Sequence, residues 1–480
     1  MIASKSSSSP MPVALRFLTV CAALLLVVFD KGPGLRSAHA QTAPIETSAA
    51  TPIDPMSRWW SQWNDPVLLE LIGAAQAHSG TLAQAALRIE QARAAAVAAG
   101  AGAQAQINLN AGAQRGTVQV GTGVVTATQM SLSLPSSWEL DLFGRVARTR
   151  EAAQARLQAE QAQQGAVQVA LAAETAAAYL QYRFCEVQTL LAQREAGSRQ
   201  ISASALAGAV QAGLAAPAQL ALARSGQADA QQRALAQATE CQAFLQALGV
   251  LTARETSRLQ PQLQPGTGRL PSPQDLQVRQ VPAALLERRP DVAAAQQAVE
   301  AAQADLGAIR AERYPRLSLN GSVGPLLLAV GGGSTTLLTW SIGPALSLPI
   351  LDGGRRNANE AVALTAYSAA QTRYQETARR AVQEVEEALL RLDAAQARSA
   401  SVETVKAAQQ ANRDAVAARK AAGLASMLDL EEAERAVVSS DAAQLALHRD
   451  RLAAWLQLYR ALGGGWAPDS RKAAEAAQQG

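Results

Sequence analysis

Cysteine and histidine are scarce, with three of each in 480 residues. Zinc sites draw their ligands mainly from these two types, so a multi-ligand zinc centre is all but excluded. No Gly-x4-Gly-Lys-Ser/Thr run occurs, which removes a P-loop. Aromatic residues make up only 4%, and alanine is the largest contributor to the 49% hydrophobic content. That mixture suits long, closely packed helices better than a thick globular core. Mixed charge and average polarity argue against a disordered chain. Lys+Arg 43 against Asp+Glu 39 gives +4, a weak pull toward anionic partners at most. The one sustained apolar run is Phe17–Phe29, behind Lys5 and Arg16, and no later segment offers a helix-length apolar stretch for crossing a membrane.

Residues 1–40 therefore read as a secretory signal peptide, with Ala38-His39-Ala40 as the cleavage site and Gln41 as the first mature residue. Its removal takes Lys5, Arg16, Lys31, Arg36 and Asp30, leaving 39 basic residues against 38 acidic ones. The basic character belongs to the presequence, and no nucleic-acid partner is expected.

The mature chain is internally duplicated. Ile107-Asn-Leu-Asn110 returns as Leu317-Ser-Leu-Asn320, 210 residues later, and Phe143-Gly-Arg145 returns as Gly353-Gly-Arg355 at the same spacing. Glu174 matches Glu384, and Ala212-Gly-Leu-Ala215 matches Ala422-Gly-Leu-Ala425, still 210 apart. The offset drifts only at the end, where Ala247-Leu-Gly249 meets Ala461-Leu-Gly463 at 214. Each half reads as a helix, two strands, a very long helix, a turn and a returning helix. The first repeat spans 41–250, with a β-hairpin over 105–135 and a long helix over 142–212. The second spans 282–466, with a hairpin over 315–350 and a long helix over 354–422. A Pro/Gln/Gly-rich linker, 251–281, and a tail, 467–480, complete the chain; the linker and the termini are expected to form a belt around the middle of the helices.

The opening helix of the first half is expected over Val67–Ala99, started by Asp65-Pro66, and its counterpart begins at Pro290-Asp291. Met130, Leu132 and Leu134 alternate with Gln129, Ser131 and Ser133, as Leu338, Trp340 and Ile342 do with their neighbours. Strands of roughly ten residues suit an outer-membrane barrel; a soluble hairpin packed on one face is the alternative. Each proline-free stretch ending at Gly213 or Gly423 runs for roughly 70 residues, about 105 Å if helical. Glycine at those positions suits the left-handed conformation that ends helices. Cys185 precedes Gly213 by 28 residues and Cys241 follows it by 28, so an antiparallel helix pair sets them at one height. In an oxidising compartment this predicts a Cys185–Cys241 disulfide, with two buried free thiols as the alternative.

Four strands do not close a membrane barrel, and open edges are not tolerated in lipid. Several copies must each contribute strands, giving an oligomeric tube with a β-barrel in the outer membrane and a helical conduit below it.

Four motifs carry a resemblance: Trp138-Glu-Leu-Asp-Leu-Phe-Gly-Arg145, Val281-Pro-Ala-Ala-Leu-Leu-Glu-Arg-Arg-Pro-Asp291, Leu348-Pro-Ile-Leu-Asp-Gly-Gly-Arg355 and Ala461-Leu-Gly-Gly-Gly-Trp466. Together, over residues 57–466, they resemble the TolC-like outer-membrane factors of tripartite efflux systems, in particular the nodulation-type outer-membrane lipoproteins. The resemblance implies a mainly α fold with membrane β: a homotrimer whose twelve-stranded barrel sits in outer-membrane lipid over a long periplasmic α-helical barrel. It also implies a periplasmic adaptor (membrane fusion) protein and an inner-membrane pump of the resistance-nodulation-division (RND) type as partners. One departure is plain. That branch usually carries a lipidated cysteine at the start of the mature chain, and none stands near Gln41; Cys21 lies inside the apolar run, without a small residue before it.

No catalytic constellation or cofactor motif emerges, so an enzyme is not expected. His78 and His448 are isolated, and Glu384, Glu386 and Glu387 on a long helix read as a solvated or lumen-facing strip. The resemblance assigns adaptor docking to the periplasmic tips at Gly213 and Gly423. Nearby, Arg419, Lys420 and Asp429 are candidate gate charges, forming inter-protomer pairs or a charged constriction, with simple surface solvation as the alternative. Trp138 and Trp340 mark either membrane interfaces or packing where strands meet helices. The leading function is a passive outer-membrane exit duct for small toxic or drug-like molecules. A duct for protein secretion and a pore-less periplasmic coiled-coil protein are the other readings.

Overall fold

The computed structural model describes residues 59–60, 62–271, 289–330 and 333–466. The expected signal peptide, residues 272–281 of the expected linker and the tail 467–480 lie outside the described residues.

In chain order the elements are α1 (Pro66–His78), α2 (Gly80–Ala101), β1 (Gln106–Ile107), β2 (Asn110–Val120), β3 (Gly123–Leu140), α3 (Arg145–Gln211), α4 (Pro217–Thr252) and α5 (Thr256–Leu263). They continue with α6 (Pro290–Ala311), β4 (Arg316–Val330), β5 (Gly333–Ser347), α7 (Arg355–Ala421) and α8 (Met427–Ala461). Both α3 and α7 are 67 residues long, about 100 Å of rise each. Among the described residues no helix is long and apolar enough to cross a membrane.

Two compact units divide the chain. The first holds the sheet, with Ala95–Ala153 and Gln303–Thr365. Its strands run β1/β2–β3–β4–β5, all antiparallel. β1 and β2 share one register along β3, Ile107 facing Ser136 and Asn110 facing Ser133, so they occupy a single strand position. The strands reach 15 to 18 residues in β3, β4 and β5, longer than the ten expected from the alternation. β3 passes through Pro135, where the expected hairpin ended, and continues to Leu140. The β3–β4 ladder has one gap, at Leu132–Ser133 opposite Gly324–Pro325. Proline has no N–H to donate there, and a Cβ at 324 would strike the Leu132 carbonyl.

The second unit is helical and holds the main core. Trp60, Trp63, Leu68 and Leu71 pack with Tyr179 and Leu180 of α3, Leu245 and Leu248 of α4, Leu259 and Leu263 of α5, and Leu452, Trp455, Leu458 and Tyr459 of α8. The rings of Trp60 and Tyr459 lie 4.6 Å apart, and the Trp60 indole N–H donates to the Tyr459 hydroxyl at 3.3 Å. Elsewhere small residues allow close approach: a Cβ at Gly165 would strike the Trp466 ring, and one at Gly464 would strike Val169.

One local expectation is corrected. The helix expected over Val67–Ala99 is two helices, because the Ser79 hydroxyl accepts the Leu82 N–H at 3.2 Å and restarts the chain as α2. The described part of the expected linker contains α5, whose Leu259 and Leu263 are fully buried.

Candidate functional site

Strand pairing places directly opposed residues on the same side of a sheet. Following the register across β3, β4 and β5 therefore sorts the side chains of the first unit into two faces. One carries Leu134, Val323 and Trp340 in a row, then Trp138, Leu319 and Pro344, then Leu140, Leu317 and Leu346. On β5 this face continues through Leu338 and Ile342, and Trp340 is 74% exposed. The other carries Ser131, Ser133, Ser137 and Glu139 of β3 with Ser318, Asn320 and Ser322 of β4 and Ser341 of β5, and turns apolar toward the β4–β5 turn, at Ala127, Leu326, Leu328, Val330 and Leu337. A wall with one apolar and one largely polar face, with β2 to β5 each long enough to cross a bilayer, suits a barrel with lipid outside and water inside. Among the described residues, β2 and β5 each keep an unpaired edge.

Trp138 and Trp340 share the apolar face but not a level. Trp138 stands opposite Leu319, which faces Pro344, four residues along β5 from Trp340, or about 13 Å. Trp138 donates its indole N–H to the Ala103 carbonyl at 3.0 Å, whereas Trp340 is open.

The strand-to-helix corners use the residues of the recognised motifs. Arg145 forms a two-pronged bond to Glu139 at 3.0 and 2.7 Å, and the Asp141 carboxylate accepts the N–H groups of Val146 and Ala147, capping α3. In the second repeat Asp352 accepts from the N–H groups of Gly354 and Arg356 and from Arg356 Nε at 2.7 Å, capping α7.

In the second unit, the two helix tips are matched turns. Gly213 has φ +75° and Gly423 φ +74°, and nothing lies within 4 Å of a Cβ at either, so the backbone conformation, not space, selects glycine. Leu214 N–H donates to Ala209 O and Leu424 N–H to Arg419 O, each at 2.8 Å, while each glycine N–H bonds three residues back at 3.0 Å. This is the Schellman arrangement. The helices that follow start differently. Pro217 opens α4 with no side-chain cap, whereas Ser426 and Asp429 form a reciprocal capping box at the start of α8.

Two of the candidate gate charges, Asp429 and Arg419, are thus engaged within one chain. Asp429 Oδ2 accepts from the Ser426 N–H at 2.7 Å and its hydroxyl at 2.8 Å. These hydrogen bonds, with the nearby Arg419 charge, hold the Asp429 carboxyl below the usual range. Arg419 Nη2 donates to Leu424 O at 3.3 Å. Lys420 sits in the last turn of α7.

Cys185 and Cys241 join α3 to α4 as a disulfide, Cα–Cα 5.5 Å. The side chains that hold the middle of this unit escaped the sequence reading. Arg183, 2% exposed inside α3, donates to the Tyr179 hydroxyl at 3.0 Å, Glu186 at 3.0 Å and Leu263 O at 2.7 Å. Tyr179 donates onward to Asp65, the cap of α1, at 2.6 Å. Burial and that bond to a carboxylate push the Tyr179 phenol above its ordinary range. Arg289 grips Asp291 at 3.0 and 2.8 Å, Glu384 at 2.8 Å and Ala461 O at 3.0 Å. The one sequence signal for it was its place in the Arg-Arg-Pro-Asp run.

A duplicated chain with a two-faced sheet, capped corners and long helix pairs ending in matched turns defines the class of TolC-like outer-membrane ducts. A family model described as outer membrane efflux protein matches twice, over residues 71–254 and 281–464. The chain belongs to that family. It is 33% identical over 423 residues to outer membrane protein OprJ of Pseudomonas aeruginosa, covering 85% of this chain and 86% of that one. It is 30% identical over 422 residues to nodulation protein T of Rhizobium leguminosarum bv. viciae, covering 86% and 85%. Among solved structures, the outer-membrane channel OprN superposes with a TM-score of 0.77 at 29% identity, over 91% of this chain and 99% of that chain.

Proposed function

We propose that the protein is the outer-membrane duct of a tripartite efflux system, conducting small toxic or drug-like molecules passively from the periplasm to the exterior. The observation that carries this reading is the sheet: one apolar face, one largely polar face and, among the described residues, two open edges, at β2 and β5. Open edges are not stable in lipid, and three copies joined edge to edge close a barrel of twelve strand positions. The family relationship supports an outer-membrane location and a working partnership with a periplasmic adaptor and an inner-membrane pump of the RND type, which supplies the energy. The tip turns at Gly213 and Gly423 dock the adaptor. Arg419 and Lys420, on the α7 side of the second tip, line the closed end.

Two measurements test the reading. The purified oligomer in planar bilayers is expected to conduct, and a deletion strain to gain sensitivity to at least one efflux substrate. A non-conducting protein whose loss leaves every tested sensitivity unchanged overturns it.

A further inference from the structure

The hairpins of the sheet are almost without charge. Between Gln106 and Trp138, and between Leu317 and Leu351, Arg115 is the one charged residue. It lies on β2, where it pairs with Thr128 of β3; Thr128 pairs with Ala329 of β4, and Ala329 with Ser334 of β5. Directly opposed residues share a side of the sheet, and every second residue of a strand returns to it. From Ser334 those steps reach Leu338, Trp340 and Ile342. Arg115 therefore stands on the apolar face, and it is exposed there.

Its height on that face is specific. The apolar rows run from Leu140, Leu317 and Leu346, beside the strand-to-helix corners, up to Met130, Leu327 and Thr336. Leu346 and Thr336 are ten residues apart on β5, about 33 Å along the strand. At a strand tilt of about 40° this is about 25 Å of height, the depth of the apolar band on an outer-membrane barrel. Arg115 occupies the next row, with Thr128 and Ser334, and Thr117 pairs with Thr126 in the row beyond. The face thus turns from apolar to hydroxyl-bearing at the row that holds the cation. That row lies toward the β2–β3 turn, the exterior end of the wall in the duct reading.

No carboxylate in the wall answers this cation. β2, β4 and β5 contain neither Asp nor Glu. The one acid of β3, Glu139, lies on the opposite face and is bonded to Arg145. Because β2 is an edge strand, its neighbour in the closed barrel is β5 of the next copy, which brings no acid either. A guanidinium at the edge of the apolar band, facing lipid, is complementary to an anion that the membrane itself supplies. Phosphate suits it, since arginine binds phosphate through two parallel N–H···O bonds.

We propose that Arg115 is a lipid anchor, holding a phosphate of an outer-leaflet lipid headgroup and so fixing the height of the barrel in the membrane. The proposal rests on the barrel reading of the sheet.

Retention of lipid A, a lipid with two phosphates, by the full-length trimer in neutral detergent tests it, read by native mass spectrometry. The wild type is expected to hold it about fivefold more tightly than Arg115→Gln, the equilibrium factor for one cation beside an anionic surface. Arg115→Lys keeps the charge without the fork and belongs between them. Dephosphorylated lipid A should bind the wild type about fivefold more weakly, which checks the contact should Arg115→Gln fail to assemble. The double variant Arg115→Gln/Gln114→Arg moves the cation to the polar face and should bind no better than Arg115→Gln. Equal retention by wild type and Arg115→Gln, indifference of the wild type to the phosphates, or full binding by the double variant overturns the proposal. Displacement of lipid A by excess inorganic phosphate would mark a free-anion site and overturn it too. A conducting trimer with no phosphate preference defeats the anchor alone, whereas a protein that neither forms trimers nor conducts defeats the barrel reading.

Discussion

Replacing Arg183 by alanine tests whether a single buried cation ties the mid-level helices to α3. The guanidinium is 2% exposed and bonds Tyr179, Glu186 and Leu263 O, the last residue of α5. It also lies 5.1 Å from the Tyr179 ring centroid. Truncation leaves the Glu186 carboxylate, whose side chain is 13% exposed, without its cation, and the Leu263 carbonyl without this donor. Breaking a buried pair from one side costs about 4 kcal/mol. A tenfold change corresponds to about 1.4 kcal/mol, so the local opening equilibrium around α5 should shift by about a thousandfold. The assay is amide exchange over residues 256–266, read beside Arg93→Ala as a control. Among the described residues Arg93 pairs with the exposed Glu90, and its loss should cost under about 0.5 kcal/mol. Arg183→Lys keeps the charge but not the fork, and belongs between the two. If Arg183→Ala leaves exchange over 256–266 within about threefold of the parent, the network does not hold α5 and the reasoning fails.

Two further expectations follow from the sheet register and the tip. Arginine at Ile342, on the apolar face, should cost about 2–4 kcal/mol in the membrane and reduce the assembled protein recovered from outer membranes. Arginine at the adjacent Ser341, on the polar face, should leave recovery unchanged and alter only conductance; equal recovery of both variants would refute the assignment of faces. The capping box gives a pH signature. Because hydrogen bonds from Ser426 hold the Asp429 carboxyl below its ordinary range, its contribution is complete above the unfolded pKa near about 3.9 and is lost as pH falls through the lower folded value. Exchange at residues 427–430, corrected for intrinsic rates, should therefore rise as the pH drops below about 4. Asp429→Asn should remove that dependence, and a dependence that persists in it would reject the cap as its source.

The parts of this architecture that were legible in the sequence are those set by local backbone chemistry. Gly213 and Gly423 marked the tips because few other residues adopt φ near +75°, and absence of proline let two 67-residue helices be placed within three residues at either end. Where local signals misled, tertiary pairing had overridden them. Pro135-Ser136-Ser137 reads as a strand terminator, yet these residues pair with Ser322, Gly321 and Asn320. Pro261 and its glutamine neighbours read as linker, yet Leu259 and Leu263 anchor a helix in the core. Arg183 was illegible for a different reason. A lone arginine in an alanine-rich helix looks like solvent-facing charge, and only the arrival of Tyr179, Glu186 and Leu263 makes its burial tolerable.

Gly324 and Pro325, in the middle of β4, give up ladder pairing with β3 while keeping it with β5, and the Thr339 hydroxyl donates to the Gly324 carbonyl at 2.9 Å. The sheet can bend sharply there, because no Cβ blocks the contact with Leu132. In a closed wall of twelve strand positions each chain must sweep a third of a circle, about 30° per strand. In the barrel proposed above, a glycine hinge beside this break in the β3–β4 ladder would localise part of that curvature at one latitude of the cylinder, and position 324 would help set the bore diameter.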